Sequence, residues 1–255
     1  MKTIILKNKK ELKLYDSIDE MPIVNFQKYN KFLLLDSGLG SDINSVDEHI
    51  TNLARLVKSD IAKAMQELQN LRQNLHLIVS EISPKYMAFA ALIYSVDGEV
   101  VENLSDDSLK QLLCSIKDIK HSSVVEFLLG IKKKLALELE TYFPTEFNNA
   151  KEKETYDKLK QRTLFILHGI IEDKDTTKEV NEIDEYLFGL YTPKIYTGSK
   201  SVEVKYDKQF ETSCMLIGQK TNLFAKSMTV LEFYNTLSII EKQVEAELKA
   251  YKRTK

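Results

Sequence analysis

At 255 residues with 43% hydrophobic side chains, the chain has enough apolar material for a sizeable core, which excludes wholesale disorder. Charged residues reach 29%, yet 36 Lys and Arg against 38 Asp and Glu leave a net charge of only -2, which argues against a dedicated nucleic-acid binder with its basic excess. Eight Gly, four Pro and no Trp mean few breakers, a composition for long helices rather than a many-turned β fold.

The opening residues MKTIILKNKK hold too short an apolar stretch for a secretory signal. The longest uncharged apolar run, Tyr86 to Val96, is about half of the ~20 residues a membrane span needs. The expectation is a cytoplasmic protein with no membrane segment. Thr3–Lys7 and Glu11–Tyr15 read as a small hairpin around Asn8, Lys9 and Lys10, because Leu12 and Leu14 alternate with Glu11 and Lys13.

Ser17-Ile18-Asp19-Glu20 has the form of a capping box, and Pro22 suits a first helical turn. That helix is predicted to reach about Asp36 with Ile23, Phe26, Tyr29 and Leu33 inward, stopped by Gly38 and Gly40. A second, from about Asn44 to Lys58, turns Val46, Ile50, Leu53 and Val57 inward. A third starts near Asp60, with a stripe of Ile61, Met65, Leu68, Leu75, Val79 and Ile82, and ends at Pro84. Lys85–Tyr94 is apolar almost all round, the pattern of a buried central helix. Asp97-Gly98 forms a turn, and Val100-Val101 a brief extended piece.

Ser105 caps the next helix, which carries Leu109, Leu112, Leu113 and Ile116. His121–Tyr142 follows with Val125, Leu128, Leu129, Leu135 and Leu139, closed by Pro144. The polar stretch Thr145–Glu154 reads as a linker dividing residues 1–144 from 145–255, or as a surface segment of one continuous domain. Tyr156–Ile171 and Lys178–Leu190 are helical in pattern. Pro193–Tyr206 suggests a second hairpin, from the Gly198-Ser199 turn and the alternation Val202, Val204, Tyr206, before Asp207–Gln219 returns to helix. The expected fold class is mainly α, a multi-helix bundle with one or two small β-hairpins.

No constellation for chemistry stands out. Gly38-Leu39-Gly40 has a helical pattern before it and no third glycine, so it reads as a helix stop rather than a dinucleotide loop. Asp42, Asn44 and Asp47 lack the glycine and bidentate Glu of a calcium loop. The histidines His49, His76, His121 and His168 form no metal-ligand spacing, so neither metal nor cofactor is expected. His168, in the run LFILHGII, reads as a core histidine held by a hydrogen bond more readily than as a catalytic base. Glu172, Asp173 and Asp175, like Glu182, Asp184 and Glu185, read as solvated helix ends. Cys114 and Cys214, in apolar settings, read as buried free thiols.

The closing stretch is more informative. Val230, Leu237, Val244 and Tyr251 recur at sevens, with Phe233 and Ile240 on a companion track that Glu247 breaks. With Tyr234 and Leu248 they form the candidate partner-binding seam of a terminal helix about 36 Å long. The same row could instead pack on the chain's own domain. The segments NFQKYNKFLLLDSGLGSD, ELQNLRQNLHLI, AALIYSVDGEVVENLSDDSL and MTVLEFYNTLSIIEK together resemble helical proteins of tailed phages of gut Bacteroidetes. The last, in which a short start from Met228 to Tyr234 leads a terminal helix, is similar to the ending of tail-assembly chaperones. The resemblance implies a non-enzymatic role: shielding a helical client such as a tape-measure protein, or self-association in morphogenesis. The length and the leading hairpin depart from such chaperones and leave a structural protein of the virion as the alternative, with an enzyme as a third class.

Overall fold

The computed structural model describes residues 1–6, 9–79, 83–116, 119, 121–147 and 150–253. The chain is mainly helical with one small antiparallel sheet, and it divides into two compact units, residues 1–139 with 194–255 and residues 140–193.

In the larger unit, β1 (Lys2–Ile5) and β2 (Glu11–Leu14) form the expected hairpin, in the register Lys2 to Leu14 and Ile5 to Glu11. The sheet continues where one buried helix was expected. Residues Pro84–Ala91 form α-helix (α4 below), but Ile93–Val96 is strand β3, paired antiparallel with β2 and then with β4 (Glu99–Val100) around the Asp97-Gly98 turn. Helix and strand can be equally apolar when both are buried, and composition does not tell them apart. Leu12, Leu14 and Ile93 are fully buried. Asp97 accepts a hydrogen bond from the Glu11 backbone N–H at 2.7 Å, which ties the two turns.

Helix α1 spans Ile23–Leu39, with Ile23, Phe26, Tyr29 and Phe32 buried. The Ser17–Glu20 segment is a turn rather than its cap; Pro22 precedes the helix with no side-chain cap. Gly38 lies inside α1, and Gly40, at φ 67°, ends it. Asp42 then caps α2 (Ile43–Ser59) in a reciprocal box with Ser45. A single residue, Asp60, separates α2 from α3 (Ile61–Val79); Ile82, assigned to the α3 stripe from sequence, lies outside the described residues. After α4 and the strands come α5 (Asp106–Ser115), capped by Ser105, and α6 (His121–Tyr142). The core row of α6 is Val124, Leu128, Ile131, Leu135 and Leu139, while Leu129 is exposed.

The short α7 (Pro144–Phe147), α8 (Ala150–Glu172) and α9 (Thr177–Leu190) belong to the smaller unit. Arg162 grips Asp184 with two hydrogen bonds, 2.6 and 3.1 Å, between α8 and α9. Beyond them no second hairpin forms among the described residues: 191–201 is loop and turn, and α10 (Val202–Thr221) already contains Val202, Val204 and Tyr206. Ser201 caps α10 through the Val204 N–H, so a cap turns an apparent strand alternation into a first helical turn. A 3₁₀ turn, Ala225–Ser227, leads into α11 (Val230–Arg253).

Candidate protein-interaction site

The seam of α11 divides along its length. Its start is sewn to the beginning of α1 by backbone hydrogen bonds: Ile23 N–H to Met228 O at 2.9 Å, Val230 N–H to Met21 O at 2.9 Å, and Leu231 N–H to Ile18 O at 3.0 Å. Thr229 and Glu232 close a reciprocal capping box at 3.3 and 2.9 Å. Val230, Phe233 and Ile240 are buried as core. The Phe233 ring lies 5.9 Å from Phe210 and 5.6 Å from Tyr234, which in turn meets Phe26 edge-on at 6.4 Å. Burial pushes the Tyr234 hydroxyl up to about 12. Between α1, α10 and α11 these rings and Leu237 line a cleft of about 160 Å³.

Past Ile240 the row surfaces. Val244 is half-buried, and Leu248 and Tyr251 are 55% and 60% exposed. The structure therefore gathers Val230, Phe233, Tyr234, Leu237 and Ile240 against the body of the larger unit and leaves Leu248 and Tyr251 in solvent.

Helix α3 lies the opposite way round from the sequence expectation. Ile61 (72% exposed), Met65, Leu68, Leu75 and Val79 (80% exposed) face solvent, while Ala64, Glu67, Asn70 and Asn74 are buried. On α2, Ile50 and Val57 are likewise exposed, and Val46, His49 and Leu56 face inward. The polar residues turn in because each meets a fixed partner. His49 Nδ1 lies 2.8 Å from Glu67 Oε1, and its Nε2 lies 2.9 Å from the Leu39 carbonyl. Asn74 donates to the same carbonyl at 2.5 Å and to Ser45 Oγ at 2.7 Å; Asn70 donates to Lys194 O at 3.1 Å. A carbonyl oxygen only accepts, so Nε2 carries hydrogen, and the Nδ1–Glu67 contact then shares one further proton. The hydrogen bond to Glu67 raises the His49 pKa against the lowering effect of burial.

Tyr196 lies beside this network, within electrostatic reach of Glu67. Its hydroxyl is buried without a hydrogen-bond partner among the described residues, and a Cβ on Gly38 would stand 1.5 Å from that oxygen. Glycine is required there by close approach rather than by conformation.

From the sequence His49 is weighed only as a metal ligand, and Glu67, Asn70, Asn74 and Tyr196 carry no expectation. The available signal was the polar row 67, 70, 74, which repeats with the same helical period as the apolar row beside it. His168 is exposed on α8, with Leu167, Ile170 and Ile171 exposed near it, so it is no core histidine. Cys114 is exposed and Cys214 half-buried, both free; burial pushes the Cys214 thiol up. The described residues contain no His, Cys, Asp and Glu group able to hold a metal ion, and no helix among them is long and apolar enough to cross a membrane. Compared with known proteins, the chain matches no family model, no curated protein and no solved structure.

Proposed function

We propose that this chain is a non-catalytic protein-binding protein that covers apolar helical surface on a client, as the resemblance to phage tail-assembly chaperones suggests, with a tape-measure protein as the client. The observation that carries the reading is the division of α11: its first half is held by backbone bonds to α1, while Leu248 and Tyr251 stand exposed on the same helix. A rigid base with an apolar extension suits docking into a groove or along a helix of another chain. Leu248→Asp with Tyr251→Asp is expected to abolish recovery of the tape-measure protein with the tagged chain from infected cells, with helical circular dichroism unchanged. Recovery at the wild-type level would end this assignment of the seam. Many copies of the chain in purified particles would replace the chaperone role with a structural one in the virion. Turnover of a small molecule dependent on one side chain would overturn both.

A further inference from the structure

The outward row of α3 lies apart from the α11 seam and asks a different question: what covers it. Ile61, Met65, Leu68, Arg72, Leu75 and Val79 follow steps of four, three, four, three and four, and all six are exposed. That spacing keeps the six positions on one face of the helix, a row that a second helix lying alongside can follow. At 19 residues α3 is about 28 Å long, enough for five turns of such contact.

The row cannot be hidden by rolling the helix. Its other face is held by Glu67 on His49, Asn74 on the Leu39 carbonyl and Asn70 on Lys194 O. Turning the apolar side in would leave those groups without the partners that make their burial tolerable. The exposure is thus imposed by the polar network.

Charge selects the occupant. The α3 carboxylate, Glu67, is buried, and Arg72 sits within the apolar row with no ion pair among the described residues. A parallel second copy would set Arg72 against Arg72. An antiparallel copy centred on the row would place the two guanidinium-bearing positions about 6 Å apart along the axis. Both arrangements oppose like charges at the seam, the device by which helical pairs reject a partner. We propose that the α3 row docks an amphipathic α-helix of a different protein, one with apolar residues at the same four-and-three spacing and a carboxylate facing Arg72. The inference rests on the protein-binding reading above and adds a second surface and the chemistry of its partner.

The test titrates the full chain against a labelled synthetic helical peptide of about three heptads, with Leu on the seam and a central Glu, and against its twin with Lys at that position. The Glu peptide is expected to bind about tenfold or more tighter than the Lys peptide. Arg72→Glu should reverse that order. Leu68→Asp with Leu75→Asp should weaken both peptides by at least about tenfold, with the circular dichroism spectrum unchanged. Leu248→Asp with Tyr251→Asp, on α11, should leave peptide binding intact. Equal binding of the two peptides, or none, overturns the proposal. So does a light-scattering mass of a dimer that Leu68→Asp returns to monomer, which would give the row to a second copy. If the peptides fail while the α11 variants still lose the client, the α3 surface falls and the protein-binding function stands.

Discussion

Helix α3 and the first half of α11 carry rows with the same spacing and similar side chains, yet one faces water and the other forms core. The difference lies on their opposite faces. Behind the α11 row are Glu232 and Asn235, which stay at the surface, and the helix start is fixed by the backbone of residues 18–23. Behind the α3 row are Glu67, Asn70 and Asn74, each met by an acceptor or donor already in place. Fully burying one Leu or Ile is worth about 1.5–3 kcal/mol. Breaking a buried ion pair by removing one partner costs about 3–5 kcal/mol, and each further buried polar group left unpaired about 1–3 kcal/mol, so Glu67, Asn70 and Asn74 together are of the same order as the apolar row they oppose. Periodicity identifies that a helix has faces; the neighbours decide which is inside.

The comparison would break most visibly at Phe233. Phe233→Ala should destabilise the chain by about 3–5 kcal/mol in urea unfolding, whereas Leu68→Ala on α3 should stay within about 0.5 kcal/mol. Equal losses would mean that both rows are core. Gly38→Ala should cost about 1–3 kcal/mol by driving a methyl into the Tyr196 hydroxyl. Tyr196→Phe removes an unpartnered hydroxyl, should itself be close to neutral, and should recover part of the Gly38→Ala loss in the double variant. Absence of that recovery would show that the Tyr196 hydroxyl is not what excludes a side chain at position 38. Thr229→Ala should cost about 1 kcal/mol through the lost α11 cap.

The gentlest probe is pH. The His49 pKa is raised in the folded chain above the ordinary value of about 6.5, so the folded state binds its proton more tightly than the unfolded state does. Its contribution is full below about pH 6.5 and is lost as pH rises through the raised folded value. Glu67 on α3, the Leu39 carbonyl and Asn74 face the ring or its acceptor, and Glu48 stands nearby on α2. Unfolding free energy measured from about pH 6 to 9 should fall with a slope that His49→Gln flattens. An unchanged slope in that variant would assign the titration elsewhere.

Much of the architecture was legible because its signals are local. The Leu12 and Leu14 alternation gave the first hairpin, Ser105 the start of α5, and the breadth of α6 its limits at His121 and Tyr142. Ile93–Val96 was not, because its short run, buried at Ile93 and Ser95 and half-buried at Tyr94 and Val96, continues the apolar composition of the helix preceding it. Val202, Val204 and Tyr206 misled for the reverse reason, a helix whose first turn happens to alternate. The α11 row was visible as a row, but its change from buried to exposed near Ile240 depends on where the body of the larger unit ends. The α3 surface was hidden by the assumption that apolar stripes point inward. The pairing of Glu67 with His49, 18 residues apart, and the bonds of Asn70 and Asn74 to backbone carbonyls reverse it.

The hydrogen bonds between residues 18–23 and 228–231 join positions about 205 residues apart. At ribosomal speeds of about 5–20 residues per second, the partner of Ile23 emerges roughly 10–40 s after Ile23 itself. During that interval the α1 side of the aromatic cleft has no α11 to cover it. Nascent chains halted before residue 228 should therefore expose Phe26 and Ile23 to chaperones or protease, and release past residue 240 should end that exposure.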